Sequence, residues 1–193
     1  AAAILAGIPL LIRGGWPLLV IGLSSIAAGY VYTGGPYPLA YNGLGELFVM
    51  VFFGLVAVGG TYYLQTLEYG PGAAVAGLAA GSLANVLLAV NNLRDANGDA
   101  RTGKRTLAVR LGRRFAEWEI AFFAFLPLML GLYWWTAGER VAALLPLALL
   151  PLAISIARSA RRDEGTALNA TLGKSAALQA GYGALFTIGL IFG

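Results

Sequence analysis

Asn91, Asp95 and Asp99 recur at intervals of four within a polar island, residues 91–105, in an otherwise mostly apolar chain. On a helix that spacing puts all three on one face. Two carboxylates and an amide oxygen are hard ligands. They suit Mg²⁺, which is commonly held by one or two carboxylates together with substrate phosphates. Arg94, Lys104 and Arg105 lie within a few residues. They could meet diphosphate oxygens, arginine in a bidentate fashion. The pattern reads as a metal-bridged phosphate site at the edge of a membrane segment, and hence as a chain that handles a phosphorylated lipid. Asn97 and Gly98 are expected to fray the helix near its end. A solvated loop whose aspartates pair with local arginines has the same composition, and the spacing alone does not separate the two readings.

The residue types that are missing narrow the chemistry. The 193-residue chain contains no Cys and no His. That excludes disulfides, thiolate chemistry, the usual general base near neutral pH and the commonest transition-metal ligand. The chain is 59% hydrophobic and 11% charged, against about 25% charged for soluble domains. These values identify an integral membrane protein of the all-α class, a polytopic transmembrane helix bundle. The net charge of +4 is explained by topology and does not point to nucleic acid.

Apolar stretches bounded by Gly, Pro and charge cover approximately 1–12, 16–31, 47–65, 72–90, 115–135, 141–157 and 175–192, about seven spans. The first is partial. It has no charged n-region, and is expected to be the tail of a helix from a longer protein, with a short interfacial helix as the alternative. Spans 16–31 and 141–157 are short, and the second contains Pro146 and Pro151, which bundles tolerate. No carboxylate is expected in the middle of a span. Glu46 and Glu68 lie near span ends, and this argues against ion translocation. Eleven of the thirteen cationic residues fall in loops 91–114 and 158–174, with only Arg13 and Arg140 at the other end. The positive-inside rule then places both basic loops, and loop 32–46, in the cytoplasm of a multi-pass inner-membrane protein. Gly77 and Gly81 form a G-x-x-x-G pair suited to close helix packing, and glycines of this kind could also make room for a long flat ligand.

The segment 30–46 holds Tyr30, Tyr32, Tyr37 and Tyr41 with Asn42, several glycines and prolines, and Glu46 as its only charge. Tyrosines favour membrane interfaces. They can equally line a ligand site and stabilise a nearby cation. Tyr62 and Gln65, in the run 60–66, lie toward the opposite end of their span, where interfacial anchoring is the simpler reading.

Taken together, Asn91 to Asp99 followed by Gly103-Lys104-Arg105-Thr106 and the stretch to Gly112 resemble the second aspartate-rich motif of the UbiA superfamily of intramembrane aromatic prenyltransferases. Residues 33–46 and 60–65 resemble its 1,4-dihydroxy-2-naphthoate polyprenyltransferase branch. Ubiquinone-branch relatives carry a Lys-Arg pair where Ala40 and Tyr41 stand here. The resemblance covers essentially the whole chain as one domain, 1–193, of a nine-helix fold. It implies that the spans are helices three to nine, that roughly the first two helices are missing, and that the first aspartate-rich motif is missing with them. A chain without that motif is expected to be inactive by itself. The implied reaction is Mg²⁺-dependent transfer of a polyprenyl group from polyprenyl diphosphate to 1,4-dihydroxy-2-naphthoate in the lipid bilayer. Diphosphate and CO₂ leave, and demethylmenaquinone forms in menaquinone synthesis. Asp95, Asp99 and Asn91 would hold Mg²⁺ through the diphosphate, with the two aspartates catalytic. Arg94, Lys104 and Arg105 would bind diphosphate. Tyr32, Tyr37, Tyr41, Asn42, Tyr62, Gln65 and Asn92 would line the substrates or the allylic cation. The alternatives are a phylloquinone- or ubiquinone-branch enzyme, a CDP-alcohol phosphatidyltransferase, and a transporter-like bundle. The phosphatidyltransferase signature fits poorly, because its first acidic interval is one residue too long here and the next Asp is the distant Asp163.

Overall fold

The computed structural model describes residues 2–193, with side chains from Gly7 onward. The expected span over 1–12 therefore begins outside the described residues. Helix α1 runs Ala2–Thr33, and at Gly15 its backbone leaves helical geometry (φ 64, ψ −152). Only glycine adopts such a conformation readily. Pro17 stands in the first turn of the segment that follows the break, where its missing N–H is least costly. The two expected spans 1–12 and 16–31 thus abut across Gly15 as one helical run. Among the described residues six segments, not seven, are long and apolar enough to cross a membrane. The boundary was correctly placed, but too few residues separate the two apolar stretches for an intervening loop.

The second span joins α2 (Gly45–Val49), a π-helical stretch Met50–Val56 and α3 (Ala57–Thr66). It crosses α4 (Pro71–Arg101) where both helices carry glycine. A Cβ on Gly54 would lie 2.5 Å from the Gly77 carbonyl oxygen, and one on Gly81 would lie 3.0 Å from the Met50 carbonyl oxygen. The G-x-x-x-G pair is therefore a backbone contact, which supplies van der Waals packing where lipid gives helices no hydrophobic reason to associate.

Helix α4 begins with Pro71 at its first positions and continues without interruption to Arg101. At ~1.5 Å per residue it exceeds the ~30 Å hydrocarbon thickness by several turns. The polar island occupies that extension. The expected fraying at Asn97 and Gly98 does not occur, because Thr102 N–H closes the helix on the Gly98 and Asp99 carbonyls at 3.2 Å each.

The remaining chain forms α5 (Leu107–Leu111), α6 (Arg113–Met129), α7 (Gly131–Thr136), α8 (Arg140–Leu144), α9 (Leu150–Arg162) and α10 (Asn169–Phe192). Short 3₁₀ turns cover Leu145–Leu149 and Gly165–Leu168. Pro146 and Pro151 each begin a new segment, so neither removes a hydrogen bond from a helix interior. Helix α4 is the most enclosed of the six spans. Its Val86, Ala89 and Val90 pack with Ala116, Ile120 and Ala124 of α6 and Ala153, Ile156 and Ala160 of α9, all fully buried. Alanine at so many of these contacts lets the helices approach closely.

The loops gather at one end as the charge count implied. Arg105 N–H donates to the Tyr41 carbonyl at 2.7 Å, which joins loop 32–46 to loop 91–114. Arg94 Nη1 donates to Asn169 Oδ1 at 2.9 Å, which brings in the segment after α9. At the other end Arg13 donates to the Leu64 and Gln65 carbonyls at 2.9 and 3.1 Å.

Candidate functional site

Two polar groups converge on the end of α4, one at the rim and one below it. The rim group is the acidic face expected from the spacing. Arg94 grips Asp95 through both carboxylate oxygens, Nε to Oδ1 at 2.8 Å and Nη2 to Oδ2 at 2.7 Å. The same Nη2 donates to Asn91 Oδ1 at 2.7 Å. Lys104 Nζ lies 3.2 Å from Asp99 Oδ2, too poorly aligned for a hydrogen bond, so this buried oxygen has no hydrogen-bond partner. The Lys104 ammonium also stands 5.7 Å from the centre of the Tyr41 ring. The Arg94–Asp95 pair is partly exposed and contributes at most about 1 kcal/mol. Its main effect is to fix the geometry of the face.

The loop beneath Lys104 is shaped by Gly43. This residue closes the 3₁₀ turn Leu39–Asn42 in the left-handed region (φ 72). A Cβ there would also meet the Arg105 carbonyl and Leu107 Cδ2, each at 3.3 Å. Both the conformation and the close approach require glycine. Thr106, buried, caps α5 by accepting from Val109 N–H at 3.4 Å, and so sets the turn after Arg105.

The second group lies inside the bundle. Asn85 and Asn92, two turns apart on α4, both face Glu46 at the start of α2. Asn92 Nδ2 donates to Glu46 Oε1 at 2.8 Å, and Asn85 Nδ2 donates to the Glu46 carbonyl at 3.0 Å. All three are buried, and Asn85 Oδ1 has no partner. The hydroxyl of Tyr32 reaches over Gly45, 3.4 Å from where a Cβ would stand. From α6 the buried Glu119 comes within electrostatic reach of Glu46. Neither carboxyl forms an ion pair among the described residues.

Asn91, Arg94, Asp95, Asp99, Lys104 and Tyr41 are therefore brought together at the rim, and Asn92 and Tyr32 sit below them. Arg105 is exposed and anchored through its backbone. Tyr37 projects outward, and Asn42 spends its amide on the Pro38 carbonyl at 2.8 Å. Tyr62 and Gln65 are exposed at the far end of α3, roughly 25 Å along the span from Glu46, and do not join either group. Three participants escaped the sequence reading: Asn85, Glu119 and Asn169. Glu119 lies in the first third of its span, Arg113–Thr136, rather than at its middle. Its signal was the motif Glu117-Trp118-Glu119, which puts one carboxylate beside Arg113 and the next a half-turn away on the buried face.

A cation fits the rim as half of a site. Asp95 and Asp99 offer hard oxygens, one of them buried without a hydrogen bond, and this matches the one or two carboxylates that Mg²⁺ takes from protein. No cluster of three or more carboxylates able to hold a metal occurs among the described residues, so the remaining ligands would have to come from phosphate or water.

The profile of the UbiA prenyltransferase family matches residues 1–179. The chain is 39% identical over 171 residues to the 1,4-dihydroxy-2-naphthoate octaprenyltransferase of Mycobacterium tuberculosis, covering 86% of this chain and 56% of that protein. It is 50% identical over 92 residues to the enzyme of the same name from Haemophilus influenzae, covering 48% and 30%. The 2-carboxy-1,4-naphthoquinone phytyltransferase of Synechocystis is 29% identical over 102 residues, covering 53% and 33%. The chain thus spans between about a third and just over half of the length of these relatives. A profile match over nearly the whole chain, with the acidic helix end, the Lys104 turn and the tyrosine loop assembled at one rim, makes the assignment: the chain belongs to the UbiA prenyltransferase family.

Proposed function

We propose that this chain forms the acceptor-side wall and one acidic face of an enzyme that transfers a polyprenyl group from polyprenyl diphosphate to 1,4-dihydroxy-2-naphthoate. The products are demethylmenaquinone, diphosphate and CO₂. The observation that carries the reading is the rim of α4, where Asn91, Asp95 and Asp99 share one face with Arg94 and Lys104 beside them. The names of the relatives support the choice of acceptor.

In this reading Asp95 and Asp99 hold the diphosphate through Mg²⁺, which when bound would neutralise the leaving group. Arg94 and Lys104 each occupy a carboxylate in the structure. On substrate binding they move from carboxylate to phosphate oxygens, so their charge follows the developing diphosphate. Arg105 is exposed and has no side-chain ion pair to give up among the described residues. The Tyr41 ring lies under the Lys104 ammonium, and Tyr32 with Asn92 borders the interior where an aromatic acceptor would stack. The apolar bundle excludes water from the allylic cation. Basic loops 91–114 and 158–174 face the cytoplasm in this reading, where a charged prenyl donor is available.

The buried Glu46 and Glu119 could also serve a proton path, but family membership favours an enzyme. Asp95→Ala and Asp99→Ala in the full-length protein are each expected to lower prenyl transfer at least ~100-fold, the scale of lost electrostatic stabilisation. Chelation should abolish transfer, and added Mg²⁺ should restore it. Near-normal turnover in both variants would overturn the site.

A further inference from the structure

A groove of about 440 Å³ runs down the outside of the bundle between α6 and α9. Trp118, Phe122, Phe125 and Met129 form one wall, a stripe at helical spacing, and Arg158 and Arg161 stand at the mouth. Trp118, Phe122 and Met129 are largely exposed. From Trp118 to Met129 the stripe descends roughly 16 Å. This is about half of a ~30 Å hydrocarbon core, and so the depth of one leaflet.

Arg94, Lys104 and Arg113 each meet a carboxylate. Several cations of the basic rim meet no carboxylate among the described residues, and Arg158 and Arg161 are the ones among them that line the groove. The two lie one turn apart on α9. The Arg161 guanidinium is held 5.4 Å from the centre of the Trp118 ring, which keeps its charge at the level where the apolar wall begins. Two adjacent guanidiniums without counterions, set over an apolar slot one leaflet deep, match a headgroup phosphate attached to an acyl chain. Arginine pairs contact phosphate oxygens bidentately. A headgroup without its own cation leaves both charges available to the phosphate.

We propose that this groove is a binding site for an anionic phospholipid of the leaflet at the basic end. Its phosphate rests on Arg158 and Arg161 and one acyl chain lies along Phe122, Phe125 and Met129. The proposal does not depend on the prenyl-transfer reading.

The test is native mass spectrometry of full-length protein exposed to equal amounts of phosphatidylglycerol and phosphatidylcholine. Wild type is expected to retain phosphatidylglycerol about thirtyfold better, the scale of two interfacial arginines. The Arg158→Gln/Arg161→Gln double variant should lose the preference, and Arg140→Gln, at the opposite end, should keep it. Phosphatidylglycerol brominated on its acyl chains should quench a fluorescence component that Trp118→Phe removes. Equal retention of the two lipids by wild type would overturn the proposal, as would a preference that survives the double substitution. So would displacement by excess inorganic phosphate, which would assign the arginines to a soluble anion. Absence of Trp118 quenching would mean that another segment of the full-length chain covers the groove, and would overturn it too. An unchanged melting temperature of the double variant confirms that loss of preference is not loss of fold.

Discussion

The Asn92–Glu46 contact offers a test of the buried half of the site that needs no substrate. Asn92 Nδ2 donates to Glu46 Oε1 at 2.8 Å, and both residues are buried. A hydrogen bond between neutral groups on transmembrane helices averages about 0.6 kcal/mol. One to a carboxylate contributes about 1.5–3 kcal/mol. Among the described residues Glu46 has no cationic partner and Asn92 is its only side-chain donor, so an ionised Glu46 leans wholly on this bond and the larger value applies to that state. Asn92→Leu, close in volume, is therefore expected to destabilise by about 2 kcal/mol, a fall of roughly 4–8 °C in melting temperature for a chain of this size. In a Glu46→Met background the same substitution removes no carboxylate contact, and its cost should drop below about 0.5 kcal/mol. The cycle can be followed by intrinsic tryptophan fluorescence during thermal unfolding in detergent. A coupling at or below about 0.6 kcal/mol would refute the reasoning, since Asn92 would then be one more polar contact between helices.

Gly43→Ala should cost about 1–3 kcal/mol, because left-handed backbone and the tight approach of the Arg105 carbonyl act together. Gly103→Ala, at φ 78 but with open space around it, should cost only about 1 kcal/mol; equal losses in thermal unfolding would contradict this. Gly54→Ala places a methyl against the Gly77 carbonyl and should destabilise by about 1–3 kcal/mol through overpacking, visible as a lowered unfolding midpoint. Arg113 donates to the Ala160 and Asp163 carbonyls at 3.0 and 2.9 Å while pairing with Glu117. Arg113→Lys cannot span these partners, so amide exchange at residues 163–168 should accelerate while that of α4 stays unchanged.

Much of this was legible in one dimension. An apolar run long enough for a bilayer has to become a helix, because hydrocarbon satisfies no backbone group. The spans, their boundaries at Pro71, Arg113 and Arg140, and the common end of the basic loops follow from that constraint and from charge. The spacing of Asn91, Asp95 and Asp99 likewise fixes a shared face once the helix persists. The sequence could not say that the helix persists through Asn97 and Gly98, where local propensity argued for fraying and the closing hydrogen bonds from Thr102 N–H prevailed. Nor could it choose between Tyr32 and Tyr37, which are near in sequence. Tyr32, in the last turn of α1, reaches over Gly45, whereas Tyr37, in the loop beyond that helix, points outward, because each direction depends on what its segment packs against. Glu46 and Glu119 are 73 positions apart in the chain. Their approach, and the partnering of Asn85 and Asn92 with Glu46, depend on how α2, α4 and α6 cross. Those crossings are set by the sites where small residues let backbones meet, as at Gly54, Gly77 and Gly81. Helix identity is a local property of composition and was determined by the sequence alone, whereas the pairing of buried polar groups between helices is decided only when the helices pack.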